Sequence, residues 1–544
     1  MERIPSGAIL LATAVMSFFP GTQFDPVGWT STTRISNPLS RLLINPISFH
    51  RNTLDSTTQS HFDLMHKRLP FHGVRYTSAL STAFLYGLPA PKDSLKVLLI
   101  SANQQTTPYP VYPIGLDYVA GAISSQHQVK ILDLNLDQGA SSLSASILEF
   151  SPDLVGISLR NIDNTDGANS IGFIEGYQKL IAAIRSTCKA PIALGGSGFT
   201  IFPEILMEKL GADFGIPGDG EQIGLLLEAM EDKAQITSIP GIFVRGNAIT
   251  EKATTLSRPI NRLFDAQSSH LHFYLTRSSM MNLQTKRGCP FRCIYCTYPQ
   301  IDGSQLRLHD PAEVAQTALE LQNAGAKYFF ISDSTFNSSI SHSVAVAKAF
   351  IKAGLSIPWG AFFAPLSVPE DYFKLMAEAG LTHVEFGTES LSDSMLASYK
   401  KPFTHQDVFL AHQRALDAGL HVAHYIMPGG PGESEQTLDE TLSRLESLKK
   451  SAFFFFCGIR IYPHTAIYDT ALQEGQITKD QDLLTPVYYQ SGNLSNKLIE
   501  ARITSKAAGR THWVIGSGGK TVQRMMSRMY ANGHVGPLWE HIIP

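Results

Sequence analysis

The chain has 544 residues, of which 43% are hydrophobic and 17% are charged, with 42 glycines and 30 prolines. This length suits two to four domains, and the composition is typical of a globular protein with many turns. The formal net charge of −3, without a basic block, argues against a nucleic-acid-binding protein. Five cysteines are too few for a disulfide framework in so long a chain, which favours a reducing compartment, the cytoplasm.

Residues 1–93 form an N-terminal extension that we expect to be weakly ordered or family-specific, because it shows no clear periodicity. Its apolar segment 7–19 follows a single arginine, Arg3, and faintly resembles the core of a signal peptide, which leaves export as an alternative. The segment is shorter than the roughly 20 residues that cross a bilayer, so we expect no transmembrane span. A start codon assigned too far upstream is a further explanation, with Met65 as an internal candidate.

From Lys96 onward, short apolar strands alternate with amphipathic helices. Strands are predicted over 96–101, 129–132, 154–158, 192–194 and 214–217, and helices over 114–124, 140–149, 171–187, 203–210 and a stretch after Glu221. Such alternation builds a parallel, doubly wound sheet that binds ligands at the carboxyl ends of its strands. The sequence therefore predicts an α/β, Rossmann-like domain over residues 94–232.

A connector over 233–280, with a hairpin over 241–250 that turns at Gly246-Asn247, leads to a second alternating region. Strands are predicted there over 283–287, 328–332, 358–363, 383–386, 422–427 and 453–461, and helices over 311–324, 341–354, 369–380, 404–418 and 434–448. This pattern predicts a partial, TIM-like (β/α)6 barrel over 281–477, with its chemistry on the loops after the strands. A mixed segment, 478–544, with a helix near 518–530, follows on what we expect to be the substrate side.

Three cysteines, Cys289, Cys293 and Cys296, lie within eight residues on the loop after the first predicted barrel strand. Iron–sulfur clusters normally take one cysteine for each iron. Three thiolates can therefore hold three irons of a four-iron cluster and leave the fourth iron open to an exogenous ligand. The alternative is a structural zinc site of three cysteines and one histidine, with His309 as the fourth ligand. Zinc loops usually arrange two close ligand pairs, however, whereas these three thiolates are crowded together.

The spacing C-x3-C-x2-C, with the aromatic Tyr295 before the last cysteine, resembles the signature of the radical S-adenosylmethionine enzymes. The resemblance implies a 4Fe–4S cluster whose open iron is chelated by the amine and carboxylate of S-adenosylmethionine. It further implies reductive cleavage of the sulfonium to a 5′-deoxyadenosyl radical. A low-potential electron donor such as flavodoxin or ferredoxin would then be required.

The same resemblance implies S-adenosylmethionine contacts at the ends of the barrel strands. The glycines of Pro428–Glu433 permit the close backbone approach that such loops need. Taken singly, each of these positions is also explained as a helix cap, a surface acid or an ordinary turn, but their joint order favours binding. The implied contacts are Tyr295, through its backbone, for the adenine, Asp333 and Ser334 for the amino group of methionine, and Glu389 and Ser390 for the ribose hydroxyls.

Small and polar residues follow the strands of the Rossmann-like domain, and together they resemble the cobalamin-binding domains fused ahead of radical barrels. Small residues after the third and fourth strands would make room for the nucleotide tail of the cofactor. The alternative is a generic flavodoxin-like domain whose glycines turn the chain or cradle phosphate. The implied cofactor contacts are Pro113, Gly115, Ser158, Leu159, Arg160, Asn161, Gly195, Gly196, Ser197, Gly198, Gly218, Gly220 and Glu221.

The loop after the first strand departs from the pattern of classical cobalamin domains. Those domains carry Asp-x-His-x-x-Gly there, and the histidine ligates cobalt from below. Residues 101–106 of this chain read SANQQT and contain no histidine. The resemblance therefore implies a base-off cobalamin without a protein histidine ligand, and axial ligation is one of the main controls that a protein has over a metal macrocycle.

Together the two resemblances cover about residues 95–475 and imply a cobalamin-dependent radical S-adenosylmethionine enzyme, most commonly a methyltransferase that acts on an unactivated carbon. One S-adenosylmethionine would methylate reduced cobalamin, and a second would yield the radical that abstracts a hydrogen from the substrate. The substrate radical would then take the methyl group of methylcobalamin.

Several alternatives stay open at this point. One is a non-methylating member of the class, such as a cyclase or a ring-rearranging enzyme, and another is a zinc- or corrinoid-binding module without radical chemistry. A methylthiotransferase is excluded because it needs three more cysteines ahead of the barrel, where this chain has only Cys188. The substrate is open among peptides, lipids, tetrapyrroles and small natural-product precursors, and the sequence assigns no catalytic residue beyond the cluster.

Overall fold

The computed structural model describes residues 94–106, 109–136, 140–167, 170–232, 236–247, 262–264, 269–516 and 519–544. The predicted extension 1–93 lies outside these residues, as does the second arm of the predicted hairpin, 248–250. None of the described helices is long and apolar enough to cross a membrane.

The first sheet has the strand order β2-β1-β3-β4-β5-β6, in which β1 to β5 are parallel and β6 is antiparallel to β5. Residues 97–100, in the interior of β1, are all apolar and at most 1% exposed, as expected for a strand covered by helices on both faces. The doubly wound α/β fold is thereby confirmed. The strands are β1 (Lys96–Ser101), β2 (Gln128–Asp133), β3 (Leu154–Ser158), β4 (Ile192–Gly195), β5 (Phe214–Ile216) and β6 (Phe243–Val244).

Six helices accompany this sheet, and the last of them leads into the connector. They are α1 (Ile114–Ile123), α2 (Ala140–Phe150), α3 (Ile174–Thr187), α4 (Ser197–Ile201), α5 (Pro203–Leu210) and α6 (Ile223–Asp232), with short 3-10 turns at Gly220–Gln222 and Ile236–Ser238. In the order 2-1-3, the chain winds to opposite sides from β1, so the carboxyl ends of β1 and β3 form the crevice where such sheets bind ligands.

The second sheet has seven parallel strands in the order β17-β14-β13-β12-β11-β10-β7. It confirms the predicted barrel type, although its seventh strand comes from the C-terminal segment and was not predicted. The strands are β7 (Met280–Leu283), β10 (Tyr328–Ile331), β11 (Trp359–Phe363), β12 (Leu381–Glu389), β13 (His421–Ile426), β14 (Ser451–Phe455) and β17 (Trp513–Ile515).

The remaining elements surround this sheet or form two small ribbons. The helices are α7 (Ser269–Arg277), α8 (Tyr298–Ile301), α9 (Pro311–Asn323), α10 (Ile340–Ala353), α11 (Tyr372–Glu378), α12 (Asp393–Ser398), α13 (His405–Asp417), α14 (Glu435–Leu445), α15 (Ala466–Gln473), α16 (Asn496–Ala507) and α17 (Gly519–Ala531), with 3-10 turns at Phe336–Ser338 and Trp539–Ile542. The antiparallel ribbons pair β8 (Lys286–Arg287) with β9 (Arg307–Leu308), and β15 (Ile459–Arg460) with β16 (Tyr488–Tyr489).

Two predicted strand boundaries were wrong. The first barrel strand was expected over 283–287, but it ends at Leu283 because Asp333 binds the backbone and side chains of Thr285 and Lys286 and draws the chain out of the sheet. The last was expected over 453–461, but it ends at Phe455, and Gly458, at φ +86°, turns the chain into the second ribbon.

The C-terminal segment fills the interior of the barrel near the amino ends of its strands. The indole of Trp539 is fully buried, and its Nε1 donates to Oε1 of Glu385 on β12 at 2.9 Å. Tyr425 on β13 donates its hydroxyl to Oε2 of the same carboxylate at 2.8 Å. Glu540 lies beside His383, with 3.2 Å between Oε2 and Nε2. The tail is therefore part of the barrel core.

A buried cluster of ion pairs, the domain clamp, joins the first sheet to the ribbon β8–β9. Asp219, after β5, binds Arg307 (Oδ2–Nη1 2.6 Å) and Arg287 (Oδ1–Nη1 3.1 Å). Arg287 also binds Glu221, with 2.6 Å between Nη2 and Oε1. All four side chains are at most 13% exposed. Since Arg287 and Arg307 pair across the ribbon, a single carboxylate orients both strands.

We expect Trp539→Ala to lower the free energy of unfolding by about 3–5 kcal/mol, because it leaves a cavity in the barrel core and a carboxylate without its N–H donor. Urea unfolding followed by near-ultraviolet circular dichroism measures this. Leu498→Ala, at a side chain 59% exposed, is the matched control and should change the value by about 0.5 kcal/mol or less. Equal losses in the two variants would contradict a core role for the tail.

We expect Asp219→Ala to lower the free energy of unfolding by about 3–5 kcal/mol, because it leaves two buried guanidinium groups short of a partner. The control is Asp482→Ala, which removes a pair with Lys209 whose side chains are 44% and 41% exposed, and such a pair contributes about 1 kcal/mol or less. Urea midpoints of both variants provide the comparison. A small loss of unfolding free energy in Asp219→Ala would show that the protein does not need the clamp for its stability.

Candidate functional site

The three cysteines lie on a tight loop directly after the first strand of the ribbon β8–β9. Gly288 starts the loop at φ +88°, where a Cβ would overlap the carbonyl of Gln305, so only glycine fits. The Cys289 N–H then donates to Gly303 O at 3.1 Å, and the Cys296 N–H donates to Cys293 O at 3.2 Å. Cys289 is 5% exposed and the other two are partly buried. The sequence therefore presents three thiols from one short turn.

The environment of these thiols disfavours their thiolate forms. Burial raises the pKa of Cys293, and it raises the pKa of Cys296 to about 12, with a further contribution from the neighbouring Cys293. Iron binds the thiolate form, and its positive charge would offset both the cost of burying the thiolates and their mutual repulsion. The donor set, three soft thiolates on one loop, thus fits a 4Fe–4S cluster with one open iron.

The structure also shows where His309 lies, the residue that would be the fourth ligand of a zinc site. His309 pairs with Thr285 at one end of the ribbon, whereas Cys289 pairs with Gly303 at the other end. Its ring packs edge-on against Tyr118 of α1, with centroids 6.1 Å apart. This geometry does not support His309 as a fourth ligand of the cysteines.

A buried lysine that the sequence analysis missed connects the cluster loop to Glu389. Lys401 Nζ donates to Oε1 of Glu389 at 2.8 Å, and the Tyr295 hydroxyl donates to the same oxygen at 2.7 Å. Burial lowers the pKa of Lys401, but Glu389 and Cys293 more than offset this, so the net shift is upward and the ammonium stays charged. The sequence feature that indicates this lysine is its position twelve residues after a strand-end acid, between the aromatic residues Tyr399 and Phe403, which are buried.

Glu389 ends β12 in the left-handed region, at φ +61°, an unusual conformation for a residue other than glycine. Such strain persists only where the surroundings hold it, and it is most frequent at functional sites. Here Tyr295 and Lys401 hold the side chain, which remains 12% exposed. The structure therefore brings together two of the predicted S-adenosylmethionine residues, Tyr295 and Glu389, beside the cluster loop.

The structure gives three other predicted residues partners within the fold. Asp333 was expected at the amino group of methionine, but its side chain is 1% exposed and bonded to Thr285 and Lys286, with 2.7 Å to Lys286 Nζ. Ser334 donates to the carbonyl of Gly288 at the start of the cluster loop, at 3.1 Å. Ser390 was expected at the ribose, but its hydroxyl is buried against Thr441 on α14, at 2.8 Å.

These partners have a common physical reason. Parallel strands bring their carboxyl ends together, so polar groups there meet one another as readily as a ligand. An aspartate beside a buried ammonium gains a charge-assisted bond, and a buried hydroxyl must find a partner of its own. In this structure the side chains of Asp333 and Ser390 are bonded within the protein, and their contacts with S-adenosylmethionine stay predictions.

The glycines of Pro428–Glu433 are required by close approaches within the protein. A Cβ on Gly430 would overlap the ring of Tyr399, and a Cβ on Gly429, at φ +101°, would overlap the Oδ1 of Asn496. Glu433 accepts from the Gly429 N–H at 3.1 Å, and burial raises the pKa of its carboxyl. The loop is thus held from both sides beside the end of β13.

A cleft of about 300 Å³ opens at the crevice between β1 and β3 and extends to the cluster ribbon. Its lining includes Arg287 of the domain clamp, so the cleft reaches the residue that precedes the cluster loop. Three of the predicted cobalamin contacts, Leu159, Asn161 and Gly198, do not line it. The predicted residues that do are Pro113, Gly115, Ser158, Arg160, Gly195, Gly196, Ser197, Gly218, Gly220 and Glu221.

The cleft holds buried donors that the described part of the protein leaves unsatisfied. They are Arg160 Nη1 and Asn103 Nδ2, and the pKa of Arg160 is lowered by its burial. Buried polar groups normally have partners, so these N–H groups fit acceptor oxygens of a bound molecule. Cobalamin carries amide and phosphate oxygens around an apolar ring, and the donors therefore fit that group.

Two of the predicted glycines are also required by packing within the domain. Gly196 and Gly198 were expected to make room for the cofactor tail. A Cβ on either would meet the carbonyl oxygen of Leu159, at 2.8 Å and 2.9 Å, because the loops after β3 and β4 pack together. Gly195 and Gly115 are less crowded, and both line the cleft.

Comparison with known families agrees with this arrangement. Residues 283–445 match the family model of the Radical SAM superfamily, and residues 100–226 match that of the B12 binding domain. The two matches together span more than half of the chain. They coincide with the barrel that bears the cysteine loop and with the sheet that bears the cleft.

Two curated relatives match most of the chain. Tryptophan 2-C-methyltransferase of Streptomyces laurentii is 24% identical over 446 residues, which is 68% of this chain and 73% of that protein. Cytidylyl-2-hydroxyethylphosphonate methyltransferase of Streptomyces wedmorensis is 24% identical over 473 residues, which is 74% of this chain and 86% of that protein.

A solved structure shares the fold over most of its length. The radical S-adenosylmethionine methyltransferase TsrM of Kitasatospora setae, with cobalamin and a 4Fe–4S cluster bound, superposes with a TM-score of 0.74 at 22% identity. The match covers 82% of this chain and 97% of that protein. With a B12 binding domain ahead of a radical barrel that carries the three-cysteine loop, this chain belongs to the cobalamin-dependent radical S-adenosylmethionine enzymes.

Proposed function

We propose that this enzyme transfers a methyl group to an unactivated carbon of a small organic substrate. One observation carries the proposal: the domain clamp holds the cobalamin cleft directly against the cluster loop. Arg287 lines the cleft, binds Asp219 and Glu221 of the B12 binding domain, and lies two residues before Cys289. Methyl transfer to a radical needs both cofactors near one substrate, and this contact supports such an arrangement.

Each cofactor would be held by residues of its own domain. Cys289, Cys293 and Cys296 would bind the cluster, and Glu389 would bind the ribose of S-adenosylmethionine beside Tyr295. When bound, the cluster and S-adenosylmethionine supply a 5′-deoxyadenosyl radical, and cobalamin supplies the methyl group. Lys401 orients the Glu389 carboxylate, which suits bonding to two ribose hydroxyls.

The cleft residues would hold the corrin through hydrogen bonds. Arg160 and Asn103 have unsatisfied N–H groups there among the described residues, and the loop 101–106 supplies no histidine. This supports a cobalamin without a histidine ligand from that loop. The tail around Trp539 fills the opposite end of the barrel, so water is excluded from the side away from the cofactors.

Two further expectations belong to the proposal. Cluster reduction requires a low-potential partner, and a flavodoxin or ferredoxin is the class that supplies such electrons. The cytoplasm is the proposed compartment, because the described cysteines are all unpaired thiols and an oxygen-sensitive cluster needs reducing surroundings.

The test is the metal and cofactor content of protein purified without oxygen after growth with hydroxocobalamin. We expect about four irons and one corrin per chain. Cys293→Ala should lose most of the iron and all 5′-deoxyadenosine formation under reducing conditions, whereas Cys188→Ala should keep both, because that thiol lies at the end of α3 outside the loop. Iron without corrin would contradict methyl transfer, and zinc in place of iron would contradict the radical chemistry.

Variants of the Glu389–Lys401 pair test the proposed S-adenosylmethionine site. Lys401→Met should raise the KM for S-adenosylmethionine in 5′-deoxyadenosine formation about 10–100-fold, as expected when one member of a buried charge-assisted bond of about 1.5–3 kcal/mol is lost. Glu389→Gln should act in the same direction, and Lys401→Arg, which keeps the charge, should recover most of the loss. If iron content falls in parallel, the lysine serves the cluster loop and not the substrate.

A further inference from the structure

A second cavity, of about 420 Å³, lies at the carboxyl ends of β14 and β17. None of the residues predicted to bind a cofactor lines it. The volume falls within the range of sites that enclose a small organic molecule. It is lined by Asp166, Phe456, Cys457, Tyr488, Asn496 and Glu500, among others.

This second cavity borders both proposed cofactor sites. The loop after β3 brings Arg160 into the cobalamin cleft and, six residues later, Asp166 into the second cavity. That loop reaches the barrel closely, because a Cβ on Gly167 would lie 3.2 Å from the carbonyl oxygen of Cys457. A molecule in the second cavity would therefore lie beside a loop of the B12 binding domain that also lines the proposed cobalamin cleft.

The opposite wall adjoins the loop expected to approach S-adenosylmethionine. Asn496 packs against Gly429 of the Pro428–Glu433 loop, and the Gly458 N–H donates to Pro428 O at 2.9 Å. Asn496 and Gly458 both line the second cavity. One molecule bound there is thus adjacent to two loops, one from each cofactor site, as a radical methyl acceptor has to be.

The walls combine an apolar surface with acceptors of negative charge. Phe456 and Ile515 provide the apolar part, and Asp166 and Glu500 line the same cavity as Cys457. The pKa of the Cys457 thiol is raised to about 12 by burial and then by these two acids. Asp166 is only 7% exposed. Lys497 also lines the second cavity, but it is exposed, so the enclosed part is negative.

Two of the acceptors have no partner of their own. In the described part of the chain, Glu500 makes no ion pair or hydrogen bond, and the Oδ1 of Asn496 is buried without a donor. The buried Oδ1 of Asn496 costs free energy while it is unsatisfied, so a ligand with an N–H donor would be preferred. A positive charge on that ligand would in addition offset the two carboxylates.

We propose that the second cavity receives the methyl-accepting substrate, and that this substrate carries a protonated amine on an apolar body. The assignment rests on the proposed function for the identity of the bound molecule as the methyl acceptor. The ammonium would lie between Asp166 and Glu500, and the apolar body would lie against Phe456.

Binding of simple probes to the cofactor-loaded enzyme tests this without turnover. We expect 2-phenylethylamine to bind, and the isosteric 2-phenylethanol and the anionic 3-phenylpropionate to bind at least about tenfold more weakly, as a charge-assisted hydrogen bond implies. Calorimetry or ligand-observed nuclear magnetic resonance gives the dissociation constants. Equal binding of the neutral or anionic probe would overturn the proposed substrate class, and no binding of the amine would overturn the site.

Substitutions in the wall of the second cavity test whether the amine probe binds there. Glu500→Gln and Asp166→Asn should each weaken amine binding about 10-fold or more and leave binding of the alcohol unchanged. Glu175→Gln, at a side chain 79% exposed on α3, is the control and should bind the amine as the wild type does. The Glu500→Gln variant is the decisive one, because substitution of the more buried Asp166 also changes the packing of the loop after β3. Amine affinity unaffected in Glu500→Gln would place the amine elsewhere and overturn the assignment.

The two proposals fail in different ways. Amine binding is measured in protein whose iron and cobalt have been counted, so a missing corrin contradicts methyl transfer whatever the probe does. A full set of cofactors without amine binding contradicts the assignment of the second cavity alone.

Discussion

The domain clamp is the contact on which the rest of the site depends. Asp219 of the first sheet holds Arg287 and Arg307 across the ribbon that leads into the cysteine loop. A buried ion pair often adds little net stability, because desolvation offsets much of its attraction, but it tolerates few other geometries. The clamp therefore sets where the cobalamin cleft lies relative to the cysteine loop. The second cavity, between the loop after β3 and the Pro428–Glu433 loop, follows from that placement.

The same principle recurs around the cysteine loop. Lys286 pairs with Asp333 just before the loop, and Lys401 pairs with Glu389 beside it. Each pair is almost fully buried and links one strand end to a different part of the chain. The loop is thus fixed by oriented charges on two sides, which suits a site whose thiolates would otherwise repel one another. Preorganised charge of this kind needs no rearrangement when a cofactor binds.

Interior surfaces also depend on contacts from distant parts of the chain. Trp539, near the C-terminal end, donates to Glu385 inside the barrel, and β17 extends the barrel sheet beyond the six predicted strands. Gly196 and Gly430 allow loops to pack against Leu159 and Tyr399, although the sequence predicted ligand contacts for both. A glycine signals that something approaches closely, and only the assembled structure shows what approaches.

The sequence by itself determined the fold class, the order of the two domains, the cysteine loop and most strand boundaries, because hydrophobic periodicity and ligand spacing are local properties. It also singled out Glu389, at the end of β12, and Arg160, just after β3, and their roles in cofactor binding stay predictions. Only the tertiary structure decided that Asp333 and Ser390 turn into the protein, that Lys401 lies beside Cys293, and that Asp166 and Glu500 share a cavity. Those facts depend on which strand ends meet and which buried charges pair, and sequence spacing does not encode such long-range contacts.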